Sequence, residues 1–275
     1  MAKTQRKPRP TSKHDPTALG RGFKRRLKSG DVLLGGIAAE YLRPSLVKIY
    51  AHAGYDFIFI DKEHNYFEGS EMTDFVLSAR DNNMPVISKV GELNRPEVAR
   101  LLEAGVVGIQ LPRTESREDL LELIDYMKFS PAGTRAGAPE YGNVDYLPPE
   151  DHRAWLRQAD QSTVITVHIE TILGYENAEE IVSTPHVDMV YVGPYDFSIA
   201  MGHPGDYDHP RVRKAMQKIL ELCIKYKVPF GTTPSSSRTG VQWIDRGCRF
   251  FELDSELGLI ANGARQLVET YRPQG

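Results

Sequence analysis

Short apolar segments alternate with longer amphipathic segments along most of the chain. Eight of the short segments have the length of a β-strand, and they occupy residues 32–38, 56–61, 85–90, 105–112, 164–170, 189–196, 228–233 and 250–254. Between them, apolar residues recur at the spacing of one helix face. Strands that are apolar almost throughout and alternate with helices are typical of a parallel sheet buried on both faces. The pattern therefore predicts a single-domain (β/α)8 TIM barrel.

Local signals mark where several helices begin. Asn94 precedes Arg95 and a proline, which predicts a helix to Ala104, and Ser116 with Asp119 predicts a capping box. Further helices are predicted after residue 209 and over 257–271. The connection at 129–161 is unusually long and rich in Gly and Pro, and a short helix is predicted near 149–158.

Positive charge is concentrated at the N-terminus. Ten basic residues lie between positions 3 and 28 against the single acid Asp15: Lys3, Arg6, Lys7, Arg9, Lys13, Arg21, Lys24, Arg25, Arg26 and Lys28. The segment has no apolar stretch of the kind a signal peptide needs. We expect residues 1–20 to form a disordered basic tail, with a polyanion-binding arm as the alternative. The barrel domain then spans 21–275, with a short first helix at 21–28.

The composition limits the kinds of partner and compartment that the protein can have. The net charge of −3 argues against nucleic acid as the principal partner. No apolar stretch approaches the ~20 residues of a membrane helix, so no membrane association is predicted. Cys223 and Cys248 match no metal or redox spacing, which predicts reduced, buried thiols in a cytoplasmic protein.

Two acidic residues close neighbouring predicted strands. Glu170 ends the fifth apolar segment and Asp196 ends the sixth. In a TIM barrel the carboxyl ends of the strands meet at one mouth, where the chemistry is carried out. Carboxylates are hard oxygen ligands suited to Mg²⁺ or Mn²⁺, so the pair predicts a metal site. The alternative is that Glu170 pairs with a base such as Lys89 and that Asp196 only caps the next helix.

Other ionisable residues follow the second and third strands. His64 is a candidate general acid or base, with Asp61 holding its imidazole by a hydrogen bond. The alternative is an Asp-capped turn with a surface histidine. The positive charge of Lys89 would offset negative charge that develops on the substrate. Alternatively, Lys89 would supply the amine of a Schiff base. Glu63 is interpreted as structural, and the Ser-rich segment before Arg238 predicts either a helix cap or a site for a distal carboxylate.

Five motifs in order resemble those of the HpcH/HpaI family of metal-dependent class II pyruvate aldolases, over about residues 30–272. They are Gly54-Tyr-Asp-Phe, Asp61-x-Glu-His64, Pro131-Ala-Gly-Thr-Arg135, Ile169-Glu-Thr171 and Gly193-Pro-Tyr-Asp-Phe-Ser198. The resemblance implies a carbon–carbon lyase that cleaves or forms 4-hydroxy-2-oxo acids through a pyruvate enolate. Its partners would be a pyruvate-type 2-oxo acid and an aldehyde, and the protein would be a homo-trimer or homo-hexamer that exchanges its C-terminal helix.

The resemblance also implies a role for each matching residue. Glu170 and Asp196 match the metal ligands, and Asp61 with His64 matches the acid/base pair. The backbone amides around Gly193 and Tyr195 match the segment that receives the substrate carboxylate. The chain departs from the family in two of the candidate site positions: His168 stands where glutamine is common, and Lys89 stands where arginine is usual.

Three alternatives to aldol chemistry remain open at this point. The first is an oxaloacetate decarboxylase that uses the same metal and enolate. The second is an enolate addition like that of macrophomate synthase. The third is a non-catalytic, metal-binding scaffold barrel.

Overall fold

Eight parallel strands form a closed barrel. The computed structural model describes residues 15–67 and 69–272. The strands are β1 Leu33–Ala38, β2 Phe57–Asp61, β3 Val86–Lys89, β4 Gly108–Leu111, β5 Val164–Ile169, β6 Met189–Val192, β7 Phe230–Thr232 and β8 Phe250–Ser255. They neighbour one another in chain order, and β8 closes on β1. The predicted (β/α)8 barrel is confirmed.

Helices surround this barrel. They are α1 Pro16–Ser29, α2 Pro44–Ala53, α3 Gly69–Asp81, α4 Arg95–Ala104, α5 Arg117–Met127, α6 His152–Ser162, α7 Ile172–Glu176, α8 Ala178–Val182, α9 Pro194–Ala200, α10 Pro210–Tyr226, α11 Ser237–Arg246 and α12 Glu256–Tyr271. Asn94 caps α4, and Ser116 forms the predicted capping box with Asp119. Ser236 caps α11, as the helix-cap interpretation of the Ser-rich segment predicts. The helix of the long connection is confirmed, at His152–Ser162.

The first helix starts earlier than predicted. It begins at Pro16 rather than at residue 21, because Asp15 accepts a hydrogen bond from the Thr17 amide and proline suits the first helical position. Residues 16–20 therefore belong to a helix and not to the expected tail. Phe23 packs edge-on against Phe57 at 5.4 Å between ring centroids, which ties α1 to the barrel. Residues 1–14, where the rest of the predicted tail lies, are outside the described residues.

The sixth strand is shorter than predicted. It ends at Val192, and Pro194, which has no N–H to donate to a sheet, starts α9 instead. Asp196 consequently lies in the first turn of α9 rather than at the end of a strand. It still follows the carboxyl end of β6, so its place near the barrel mouth is retained.

The interior of the barrel is apolar at one end and ionisable at the other. Leu33, Phe57, Val164, Met189 and Phe250 form an apolar cluster inside the barrel, toward the starts of the strands. This division leaves the carboxyl ends of the strands for chemistry.

Both cysteines lie in the interior. Cys223 and Cys248 are buried and free, as predicted, and burial raises the pKa of both thiols. The cytoplasmic location inferred from these thiols stays a prediction. Among the helices of residues 15–67 and 69–272, none has the length and apolar character needed to cross a membrane.

Candidate active site

Lys89 lies at the centre of the ionisable cluster in the barrel mouth. It is the last residue of β3 and the register partner of Asp61, the last residue of β2. Its Nζ lies 2.7 Å from Glu63 Oε2 and 3.4 Å from Asp61 Oδ2, and the side chain is almost fully buried. Burial lowers the lysine pKa, but the two carboxylates outweigh it and leave the pKa raised. Lys89 is therefore a firmly charged ammonium at neutral pH.

Glu63 has a larger part in the site than the sequence predicts. It was expected to be structural, but its Oε2 contacts Lys89 and also lies 3.7 Å from His64 Nε2. Glu63 thus joins the buried cation to the exposed histidine. The sequence contained a signal for this role. Glu63 comes two residues after the end of β2, and the neighbouring strand β3 ends in Lys89.

Asp61 contacts the backbone of the turn that carries His64. Its Oδ1 accepts hydrogen bonds from the amides of Glu63 at 3.0 Å and His64 at 3.2 Å. The predicted hydrogen bond that Asp61 would accept from the imidazole does not occur among the described residues, because this carboxylate is engaged by the turn and by Lys89. The His64 side chain is 64% exposed. The arrangement matches the Asp-capped turn that was the alternative interpretation, placed at the rim of the barrel mouth.

Glu170 is a buried carboxylate in an unfavourable environment. Its Oε1 accepts a hydrogen bond of 2.8 Å from the amide of Arg113. Burial raises its pKa to about 7, the Arg113 amide and Lys89 oppose this, and the negative charges of Glu63 and Asp196 raise it further. Glu170 does not form the alternative ion pair with Lys89, whose ion-pair partners among the described residues are Asp61 and Glu63.

His168 lies beside Glu170 without a hydrogen bond. Its Nε2 is 3.1 Å from Glu170 Oε2, yet neither imidazole nitrogen has a partner of hydrogen-bond geometry among the described residues. Burial, with smaller contributions from Lys89 and His64, holds the pKa of His168 well below its usual value. The imidazole is therefore neutral, and it packs edge-on against Tyr191 at 4.7 Å.

Gly193 and Asp196 complete this side of the mouth. A Cβ atom at position 193 would lie 2.1 Å from His168 Nε2, so only glycine allows the two segments to approach so closely. Gly193 makes no side-chain cap to α9, and Tyr195 is exposed, with its ring edge-on to Tyr207. The half-buried Asp196 carboxylate has no hydrogen bond or ion pair to another described residue, so it is not the simple helix cap of the alternative interpretation.

The two predicted metal ligands have the character of a divalent-cation site. The negative charge of Asp196 contributes to the raised pKa of Glu170, and the positive charge of Lys89 acts against it. Within the described ranges, no set of three or more His, Cys, Asp or Glu side chains is arranged to hold a metal. Two hard oxygen ligands therefore fit Mg²⁺ or Mn²⁺, which keep several positions for water and substrate, better than they fit zinc.

A second buried carboxylate was missed from the sequence. Glu252 on β8 accepts a 2.6 Å hydrogen bond from Gln110 Nε2 on β4, across the inside of the barrel. Burial raises the pKa of Glu252 to about 8, while Gln110 and Lys89 act in the opposite direction. The available signal was the period of two in β8, which places residue 252 on the same inward face as Phe250.

The chain is similar to known aldolases along nearly its whole length. It is 25% identical to a 5-keto-4-deoxy-D-glucarate aldolase of Klebsiella pneumoniae subsp. pneumoniae, over 91% of this chain and 96% of the relative. It is 27% identical to a hydroxypyruvate/pyruvate aldolase of Paraburkholderia phytofirmans, over 91% of this chain and 97% of the relative.

Solved structures share the fold. An HpcH/HpaI aldolase from Desulfitobacterium hafniense DCB-2 superposes with a TM-score of 0.87 and 24% identity, covering 92% of this chain and 97% of that chain. The citrate lyase beta subunit from M. tuberculosis, complexed with oxaloacetate and magnesium, has a TM-score of 0.53 and 17% identity, covering 83% and 93%.

The family model for HpcH/HpaI aldolase/citrate lyase matches residues 40–263. The match covers the seven strands β2 to β8 and all the candidate site residues, and β1 lies just before it. The resemblance inferred from the five motifs is confirmed, as is the prediction of an aldolase-type carbon–carbon lyase. This chain belongs to the HpcH/HpaI aldolase/citrate lyase family.

Proposed function

We propose that this protein is a divalent-metal-dependent aldolase that cleaves or forms 4-hydroxy-2-oxo acids through a pyruvate enolate. The observation that carries the proposal is the pair Glu170 and Asp196, neither of which forms an ion pair with lysine or arginine among the described residues, in the mouth that holds the buried ammonium of Lys89. A divalent cation would relieve the repulsion from Asp196 that helps to raise the pKa of Glu170, and a fixed ammonium nearby suits an anionic substrate.

Glu170 and Asp196 are the residues that would hold Mg²⁺ or Mn²⁺. The cation, when bound, supplies Lewis-acid polarisation of the substrate's 2-oxo group. The M. tuberculosis citrate lyase beta subunit, complexed with oxaloacetate and magnesium, supports a 2-oxo acid and Mg²⁺ as the ligands of this kind of site.

Lys89 stabilises negative charge on the substrate. Its pKa is raised by Asp61 and Glu63, so it keeps its proton at neutral pH, whereas a Schiff-base lysine must present a free amine. We therefore favour electrostatic stabilisation over covalent catalysis. Lysine offers a point charge where arginine would offer a planar fork, which gives the substrate more freedom of orientation.

His64 moves a proton to or from the 4-hydroxyl group of the substrate. Its exposed imidazole at the rim can reach a bound molecule directly or through one water, and catalytic contacts are often loose before substrate binds. Asp61 acts as a positioning residue, since it fixes the turn by accepting the amide of His64. Glu63 lies close to both His64 and Lys89 and so connects the turn to the buried ammonium.

The substrate carboxylate is assigned to the segment of Gly193 and Tyr195. The close packing of His168 on Gly193 supports this assignment, because it fixes the entry to α9 against β5. A neutral His168 adds a polar group without adding charge. We assign His168 to substrate binding because it contacts Gly193.

Oxaloacetate decarboxylation is the second candidate. It needs the metal and an electron sink but no base for a hydroxyl group. Asp61 makes no hydrogen bond to the His64 imidazole, so no carboxylate of the described residues orients that imidazole as a base. This observation favours oxaloacetate decarboxylation, which needs no such base.

The C-terminal helix supports the predicted homo-trimer or homo-hexamer. Of the residues of α12, only Glu256 is buried, while Leu257, Leu259, Ile260, Leu267 and Val268 are all exposed. Monomeric proteins rarely leave so many large apolar residues together in water. We propose that α12 packs against another copy of the chain.

Turnover in the presence and absence of metal tests the proposed function. Protein treated with a chelator is assayed with pyruvate and a panel of aldehydes, and with oxaloacetate, before and after Mg²⁺ or Mn²⁺ is restored. We expect activity only with the metal, and an aldehyde that reacts identifies the aldolase. Full turnover in the chelated protein would refute the metal-dependent mechanism, and turnover of oxaloacetate alone would favour the second candidate.

A further inference from the structure

The structure contains a large basic cavity at the end of the barrel away from Glu170 and Lys89. Its volume is about 810 Å³. One wall is α1, and the others are the segments that lead into β5, β6 and β7, so the cavity opens at the N-terminal ends of the strands. A cavity of this size can hold a metabolite-sized ligand.

Positive charge dominates the lining. Six lysine and arginine residues line the cavity against the two acids Asp160 and Asp188; they are Arg21, Lys24, Arg25, Lys28, Lys128 and Lys227. The four on α1 follow the spacing of one helix face. A surplus of cations around a concave surface attracts anions.

Three of these cations have no polar partner in the part of the chain that the structure describes. Lys24 pairs with Asp188 at 2.7 Å, and Arg21 lies 3.7 Å from Asp15. The side chains of Arg25, Lys28 and Lys227 make no hydrogen bond or ion pair within residues 15–67 and 69–272. Their charges are therefore available to a ligand.

Lys128 supplies a buried donor to the same cavity. Only 4% of this residue is exposed, and its Nζ donates to the carbonyl of Asp160 at 2.6 Å and to Thr163 Oγ1 at 2.7 Å. An ammonium has three N–H donors, so these bonds leave one without a partner among the described residues. A buried ammonium held by neutral oxygens is costly, and an anion in the cavity would offset that cost.

We propose that this cavity is a binding site for a small phosphorylated molecule, separate from the active site. A phosphate group carries about two negative charges and several strong acceptor oxygens, which suits clustered lysine and arginine better than a single carboxylate does. The two arginines and four lysines can engage more than one phosphate, or a phosphate and its ester group. The site is independent of the proposed aldolase reaction.

Calorimetry with the metal-loaded, full-length protein tests the proposal. Inorganic pyrophosphate and glucose 6-phosphate are titrated separately at low salt, so the two sources of phosphate are distinguished. The double variant Arg25→Gln/Lys28→Gln removes two exposed, unpaired cavity cations. The matched control Lys48→Gln/Arg153→Gln removes two exposed charges from α2 and α6 that do not line the cavity.

We expect at least one probe to bind, and we expect the cavity variant to bind that probe about tenfold more weakly. Each of the two lost ion pairs should account for roughly half of the corresponding loss of binding free energy. The control variant should bind the probe with the affinity of the unaltered protein. Added salt should weaken binding to the control variant and to the unaltered protein alike. Absence of binding by both probes, or equal affinity of the two double variants, would overturn the proposal. Binding of a DNA duplex with neither small phosphate bound would also overturn it, in favour of a nucleic-acid surface.

Proton uptake on binding gives a second readout that surface charge alone would not produce. Burial, then the neighbouring cation Lys24, lowers the pKa of Lys128 to about 8, with Asp188 and Asp160 opposing and Arg135 adding to the effect. An anion should restore the proton, so the binding enthalpy at pH 8 should depend on the ionisation enthalpy of the buffer. Lys128→Gln should abolish that dependence. Dependence that persists unchanged in a folded Lys128→Gln protein would contradict the placement of the anion beside Lys128.

Discussion

The Nζ of Lys89 lies 2.7 Å from Glu63 Oε2, in an ion pair at the mouth of the barrel whose ammonium is buried and whose carboxylate is half-buried. It links a strand-end cation to the turn that carries His64. Removing one member of a buried pair leaves an uncompensated charge, which costs more than the pair contributes. Substitutions at Lys89 therefore test both the fold of the mouth and its chemistry.

Replacement of Lys89 separates charge from covalent chemistry. We expect Lys89→Arg to keep much of the activity because it keeps the charge, and Lys89→Met to lose most of it. Borohydride added with pyruvate should trap no adduct, since the raised pKa keeps the amine protonated. Mass spectrometry that finds a reduced pyruvyl group on Lys89 would establish a Schiff-base enzyme instead. Thermal unfolding of both variants controls for loss of the Glu63 pair.

Much of this mouth could be predicted from sequence, because strand ends converge in a barrel whatever the side chains are. Strand periodicity therefore located Asp61, Lys89 and Glu170. The partners of those residues could not be predicted in the same way. Whether Asp61 holds an imidazole or caps a turn depends on a few ångströms of loop geometry, and Glu252 meets Gln110 only across the closed barrel.

His64 should affect aldol cleavage more than decarboxylation. Removal of a general acid or base typically costs ~10²–10⁴ in rate, so His64→Ala should slow aldol cleavage by that order. Oxaloacetate decarboxylation, which moves no hydroxyl proton, should fall much less, and metal affinity measured by calorimetry should stay unchanged. If both activities fall equally, His64 has a role other than proton transfer to the hydroxyl.

Metal affinity should depend on pH through Glu170. A carboxylate must be ionised to bind a cation, and burial raises the pKa of Glu170 to about 7. Below that pH the proton competes with the metal, so the affinity for Mg²⁺ or Mn²⁺ should fall by up to about tenfold for each pH unit. Above it, the affinity should level off.

Calorimetric titrations between about pH 5.5 and pH 8.5 measure this dependence. The variant Glu170→Gln should bind the metal weakly at every pH in that range, because the amide neither ionises nor carries charge. Asp61→Asn, outside the metal pair, serves as the control that retains the pH dependence. An affinity of the unaltered protein that does not change with pH would show that Glu170 is not a ligand, or that its carboxyl group is already ionised.

Gly193 should be intolerant of even one methyl group. In Gly193→Ala the new Cβ would lie 2.1 Å from His168 Nε2, so the buried imidazole or the start of α9 must move. Overpacking of this kind costs about 1–3 kcal/mol in the free energy of unfolding. The shift would also displace the first turn of α9, and with it the Asp196 carboxylate. We expect lower stability by chemical denaturation, a raised KM for the 2-oxo acid and weaker metal binding.

The double variant Gly193→Ala/His168→Ala identifies the cause. If the clash with the imidazole is responsible, the second substitution makes room for the methyl group, and the double variant should lose less stability than the sum of the two single variants. Gly205→Ala provides a comparison at a glycine of positive φ that has no atom within 4 Å of the added Cβ, where backbone strain alone acts. Strict additivity of the two losses at 193 and 168 would show that His168 does not impose the glycine, and the packing of β5 against α9 would then need another explanation.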